Sequence, residues 1–95
     1  MAAYLVVEVT GVSDEAGLGA YASQVSSVVE RFGGRYIARG PAQVIEGEHR
    51  PGMLVLLEFP NLEQIQAMYD SEEYAPLKAL RQRSSAMNFL AVEVL

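Results

Sequence analysis

Proton transfer near neutral pH needs a histidine, or a carboxylate in an unusual setting, and this chain holds few of either. Its one histidine, His49, lies in Gly47-Glu48-His49-Arg50-Pro51-Gly52. An imidazole there is the natural candidate for a general base. The same surroundings also describe the solvated tip of a hairpin. Glu8, Glu58 and Glu93 each interrupt an otherwise apolar run. Glu8 and Glu58 at one end of a sheet would form a carboxylate pair able to share a proton. The structural alternative is a rim of charges that ends an interface. Arg35 and Arg39 flank a short strand, and either could reach Glu58; Arg39 is the candidate for holding an anionic oxygen. Tyr69-Asp70-Ser71-Glu72-Glu73-Tyr74 sets two phenols around a helix break. Tyr69 and Tyr74, with Glu8, could wall a ligand pocket, or the tyrosines could finish the edge of the core. The candidate set is therefore His49, Glu58 and Arg39 for catalysis, and Glu8, Tyr69 and Tyr74 for a ligand.

Other chemistries are excluded by composition. With no cysteine and one histidine, thiol catalysis, disulfides and multi-histidine metal sites have no residues to use, and no metal is expected. Gly33-Gly34 and Gly40 do not form a phosphate-binding loop, and no motif calls for a cofactor. Ser84-Ser85 has no base placed by spacing, and Arg81-Gln82-Arg83 reads only as a basic helix end, where the dipole favours it. Seven Lys+Arg against twelve Asp+Glu give a net charge of −5, the wrong sign for nucleic acid or an anionic membrane surface. An RNA-binding sheet would need aromatic central strands and a basic face, and Tyr4 alone does not supply them. Met1 to Val9 lacks a basic start and is broken by Glu8, so it is not read as a signal peptide, and the cytoplasm is the expected location.

Ninety-five residues, 51% apolar and 20% charged, predict one globular domain over 1–95. The chain falls into two halves of similar grammar. Ala3–Val9 is a β-branched strand, and Ser13 or Asp14 caps a helix whose stripe is Leu18, Tyr21, Ala22, Val25, Val28, Val29 and Phe32. Gly17 and Gly19 predict fraying of its first turns, and Gly33-Gly34 its end. Arg35–Arg39 is a strand interrupted at Gly40-Pro41 and resumed over Gln43–Glu46; the proline argues for a sheet edge. Met53–Phe59 is the strongest strand. Asn61 caps a second helix carrying Leu62, Ile65, Met68 and Tyr69, a further turn runs from Ala75 to about Arg83, and Asn88–Leu95 is the last strand.

The order βαββαβ predicts an α+β, ferredoxin-like fold, a four-stranded antiparallel sheet with both helices on one face and the first and third strands central. The two-residue period assigns Leu5, Val7, Val9, Val55, Leu57, Phe59, Leu90, Val92 and Val94 to the helix side. It leaves Tyr4, Val6, Leu54, Leu56, Phe89, Ala91 and Ile37 on the other side with Glu8, Glu58 and Glu93. Taking the central strands as parallel puts Glu8 and Glu58 at one end. A second face this apolar exceeds what monomers tolerate. The expected partner is a second copy packed sheet to sheet, a homodimer closing into an α/β barrel.

Tyr4 to Val9, Arg31-Phe32-Gly33-Gly34-Arg35-Tyr36, Ile45-Glu46-Gly47-Glu48-His49-Arg50-Pro51 and Leu57-Glu58-Phe59-Pro60 leading to Tyr69–Tyr74 occur in this order. Together they resemble the domain-of-unknown-function 1330 family over nearly the whole chain. The resemblance implies a ferredoxin-like subunit of a dimeric α/β barrel and implies no activity. Barrels of that kind include cofactor-free monooxygenases, haem-degrading enzymes, lactone isomerases and chlorite-dismutase-like proteins. The expected function is binding of a small apolar or aromatic molecule, with cofactor-independent catalysis open, against a non-catalytic structural or regulatory homodimer.

Overall fold

The β-branched run near the amino terminus forms β1, Ala3–Val12, as side-chain packing on a pleated surface favours. A computed structural model describes residues 1–95. After β1, the Asp14 side chain accepts the Gly17 N–H at 3.1 Å, satisfying one donor of the first turn of α1, Glu15–Arg31. That helix runs unbroken through both glycines, contrary to the expected fraying. A Cβ at Gly17 would collide with the Ser84 hydroxyl, so glycine there lets the helix pack close. At the other end Gly33 takes φ +83°. Gly33 N–H bonds Glu30 C=O at 3.0 Å and Gly34 N–H bonds Val29 C=O at 2.9 Å, the paired bonds of a glycine-terminated helix.

β2 (Arg35–Pro41) and β3 (Met53–Phe59) follow. Asn61 Oδ1 accepts the Gln64 N–H at 2.8 Å to open α2, Leu62–Tyr69. α3, Ala75–Ser84, has Pro76 in its first turn, where a missing N–H matters least, and leads directly into β4, Ser85–Glu93. The sheet order is β2-β3-β1-β4 with every neighbour antiparallel. This is the expected α+β, ferredoxin-like arrangement, with β1 and β3 central and the Pro41-bearing strand at an edge.

Four details depart from expectation. β1 and β3 run antiparallel, pairing Tyr4 with Glu58 and Glu8 with Leu54, so Glu8 and Glu58 lie at opposite ends, roughly 13 Å apart along the strand at 3.3–3.4 Å per residue. β2 stops at Pro41, and Gln43–Glu46 forms no strand: Ala42 N–H bonds Gly52 C=O at 2.9 Å, closing a loop. The bulge lies between Tyr36 and Ala38, with Ile37 as the extra residue, and not at Gly40-Pro41. β4 begins three residues early and its faces are exchanged. Val7 pairs with Phe89 and Leu5 with Ala91, so Phe89, Ala91 and Glu93 lie on the helix side while Leu90 and Val92 lie on the other.

The core fills the space between helices and sheet. Ala3, Leu5, Val7, Leu57 and Phe59 meet Tyr21, Val25, Val28 and Val29 of α1, Ile65 and Met68 of α2, and Tyr74 and Leu77. The molecule is only 17 Å across its thinnest axis, which fits two layers packed about 10 Å apart. The far side of the sheet therefore carries no layer. Tyr4, Val6, Leu54 and Leu56 are half-buried there, and Leu90 and Val92 remain 59% and 55% exposed.

Candidate functional site

Between α1 and the sheet lies an apolar cavity of about 170 Å³. Val25 and Val29 come from the helix, Val7 and Val55 from the central strands, and Met87 and Phe89 from β4. Four polar side chains reach the same walls: Tyr21, Ser26, Tyr36 and Arg39. The bulge at Ile37 sets the register that puts Tyr36 opposite Leu57 and Arg39 opposite Val55, on the helix side. The Arg39 guanidinium lies 5.9 Å from the Tyr36 ring centre, within cation–π range. Burial pushes the Tyr36 phenol above its ordinary pKa, while the Ser26 hydroxyl and the Arg39 charge pull it back. Tyr21 is raised more strongly, first by burial and then by the neighbouring Tyr74, so both phenols hold their protons at neutral pH. The cavity has room for one aromatic ring and offers hydroxyls and a cation to its polar substituent.

Tyr74 is fully buried behind this cavity. Its hydroxyl lies 2.8 Å from the Tyr21 hydroxyl and accepts from Arg81 Nε at 3.2 Å. Tyr69 packs on Tyr74 and Phe89, with ring centres 5.8 and 6.0 Å away, and Lys78 Nζ sits 4.0 Å from its ring centre. Both tyrosines belong to the core edge, Tyr69 with one side on an outer groove.

On the open face, His49 Nε2 meets Glu8 Oε2 at 2.6 Å, and Asn88 Nδ2 donates to Glu8 Oε1 at 3.1 Å. The His49 bond, then the Asn88 bond, hold the Glu8 carboxyl below its usual range, against a smaller opposing effect of burial. The loop between β2 and β3 is thereby tied down across β1. Glu58 pairs instead with Arg35, whose Nε and Nη2 donate at 2.8 and 2.6 Å. Glu8 and Glu58 thus do not form a carboxylate pair. His49, Glu58 and Arg39 occupy three separate places: the loop end of the open face, its opposite end, and the cavity. Of the six candidates, the contacts are His49 with Glu8 and Tyr69 with Tyr74.

Sequence pattern counts Tyr21 as core and Arg81 as a helix end, and it gives no role to Tyr36, Ser26 or Asn88. Arg81 follows Leu77 by four and precedes Ser84 by three, a spacing that marks the buried face of a helix. Tyr36 carried no such signal, since the bulge beside it hides the parity of β2.

The family model described as a domain of unknown function, DUF1330, matches residues 2–95. The chain belongs to this family. No curated protein matches it. Among solved structures, the RPA0582 protein of unknown function from Rhodopseudomonas palustris is 18% identical with a TM-score of 0.77, over 99% of this chain and 82% of that one. SnoaB, a cofactor-independent oxygenase from Streptomyces nogalater, is 8% identical with a TM-score of 0.71, over 99% and 93%. A dimeric protein of unknown function and ferredoxin-like fold from Bacteroides fragilis is 11% identical with a TM-score of 0.67, over 98% and 96%. At these identities the likeness is one of fold. The family has no assigned function, and within this DUF1330 member no group of three or more His, Cys, Asp or Glu could hold a metal ion.

Proposed function

We propose that this DUF1330 chain is a homodimer that binds a small phenolic or aromatic molecule in the cavity between α1 and the sheet. The observation that carries the reading is the lining: apolar walls converging on Tyr36, Tyr21, Ser26 and Arg39. An enclosed apolar space of about 150 Å³ takes a benzene-sized guest, and the few polar groups would orient its oxygen. Arg39 keeps the role of holding an anionic oxygen. The His49–Glu8 and Arg35–Glu58 pairs are the charged ends of the sheet-to-sheet interface, which buries Val6, Leu54, Leu56, Leu90 and Val92. Cofactor-independent oxygenation, the activity of SnoaB, is the candidate reaction class for the cavity. A purely structural dimer is the second reading, favoured by an open face whose apolar character calls for a partner sheet and no ligand.

Methyl-labelled protein titrated with p-cresol tests the cavity. The Val25, Val55 and Leu57 methyl resonances are expected to shift, and Val25→Phe, which fills the space, is expected to abolish the response. Unmoved methyls at millimolar p-cresol would leave the structural dimer.

A further inference from the structure

A groove of about 860 Å³ runs along the β4 edge beside α2 and α3, with Gln66, Tyr69, Arg81, Gln82, Ser85 and Phe89 among its walls. Arg81 is anomalous there. It is 4% exposed, yet takes part in none of the three salt bridges of the chain. A buried guanidinium without a counter-ion is costly. Its Nε donates to the Tyr74 hydroxyl, and its Cζ lies 4.4 Å from the Phe89 ring centre. Neither Nη nitrogen donates to a protein acceptor, and since no fully buried side-chain nitrogen lacks a partner, each Nη keeps some accessible surface; the groove is the hollow that Arg81 lines. The one carboxylate lining it, Glu8, has its two oxygens committed to His49 and Asn88.

We propose that Arg81 anchors an anion site in this groove, accepting the carboxylate of a small organic acid across its two Nη groups. Tyr74 acts as a positioning residue: by fixing Nε it leaves the terminal edge of the guanidinium free for a planar, two-point partner. A monoanion suits the site better than a phosphate dianion, because Arg81 is the only cation among the lining residues and nine of the fifteen are hydrophobic. The organic body of the acid would lie along Met87 and Phe89, and neutral amides of Gln66 and Gln82 flank its path. The site adjoins the cavity under α1, with which it shares Leu5, Met68, Met87 and Phe89, but Arg81 lines only the groove and its role does not depend on that cavity holding a ligand.

The test follows the Arg81 Nε–Hε resonance during titration with benzoate, with its neutral isostere benzamide, and with inorganic phosphate. Benzoate is expected to shift it and benzamide is not. Arg81→Lys, which keeps the charge, loses the fork and removes that resonance, is followed through the side-chain amides of Gln66 and Gln82; it is expected to weaken benzoate about tenfold relative to the same amides in the wild type. Should that variant fail to fold, the wild-type titration decides alone. Equal responses to benzoate and benzamide, or none, would overturn the site. Phosphate acting at lower concentration than benzoate would overturn the carboxylate assignment, and loss of the benzoate response in Val25→Phe would overturn its independence from the cavity.

Discussion

Replacing Leu90 by Lys probes the proposed dimer at the most exposed apolar side chain of the sheet's open face. Leu90 pairs across β1 with Val6 and lies on the open face, 59% exposed in the single chain. For a leucine that fraction is roughly 100 Å², and at about 25 cal/mol per Å² its removal from water contributes about 2.5 kcal/mol. A two-fold interface buries it twice, so the loss is about 5 kcal/mol before the added cost of two facing ammonium groups. Each 1.4 kcal/mol is tenfold, so the dissociation constant of the dimer is expected to rise by more than about three orders of magnitude. The folded chain itself loses little, because the side chain packs against no core. Sedimentation equilibrium over a concentration series reads the association, and circular dichroism of the dilute protein reads the fold. A dissociation constant within threefold of wild type would refute the sheet-to-sheet interface. So would a variant that unfolds at all concentrations, since Leu90 would then be serving the core.

Other perturbations address the interior and the loop. Tyr74→Phe removes the hydroxyl between Tyr21 and Arg81 and is expected to cost about 2 kcal/mol, a buried donor losing its acceptor; urea unfolding measures it, and a change below about 0.5 kcal/mol would contradict the network. Glu8 has a folded pKa below 4.5, so its contribution to stability is complete above that value and disappears as pH falls through the lowered one. Glu8→Gln should therefore flatten the acid side of the stability profile below about pH 5, read as urea midpoints across pH, while an unchanged acid slope would count against the His49 and Asn88 contacts. Gly33→Ala forces a side chain into φ +83° and against the Pro60 ring at 2.9 Å; a loss of about 1–2 kcal/mol is expected, and a melting temperature within a degree of wild type would show that the turn relaxes.

The element order, the Asn61 cap, the first helix's cap to within Ser13 or Asp14, and the central pair of strands were legible because each rests on local chemistry that tertiary contacts reinforce. Glu8 and Glu58 helped, since one polar residue in an apolar strand fixes its parity. From Phe89 to Leu95 the only polar residue is Glu93, which the strand end leaves free of a facing requirement, so periodicity could not tell one face of β4 from the other. Val44 and Ile45 looked like a strand by propensity, but a strand needs a partner, and the loop gives them none. The site was harder. The sequence supplied proton-handling residues without distances, and antiparallel pairing of β1 with β3 separated Glu8 from Glu58. The polar groups of the cavity are tyrosines that patterning counts as core, and Arg81 was hidden in what looked like a solvated basic run.

The two margins of the sheet are guarded unequally. β2 carries Pro41, which lacks an amide hydrogen, and a kink at Ile37; both discourage an incoming chain. β4 offers nine residues with no proline, no lysine and a single glutamate near its end, beside an unpaired row of backbone donors and acceptors. Uncontrolled growth into fibres or clumps, where it occurs, is thus directed to one side, and a lysine at Ala86 or Ala91 would be the simplest guard against it.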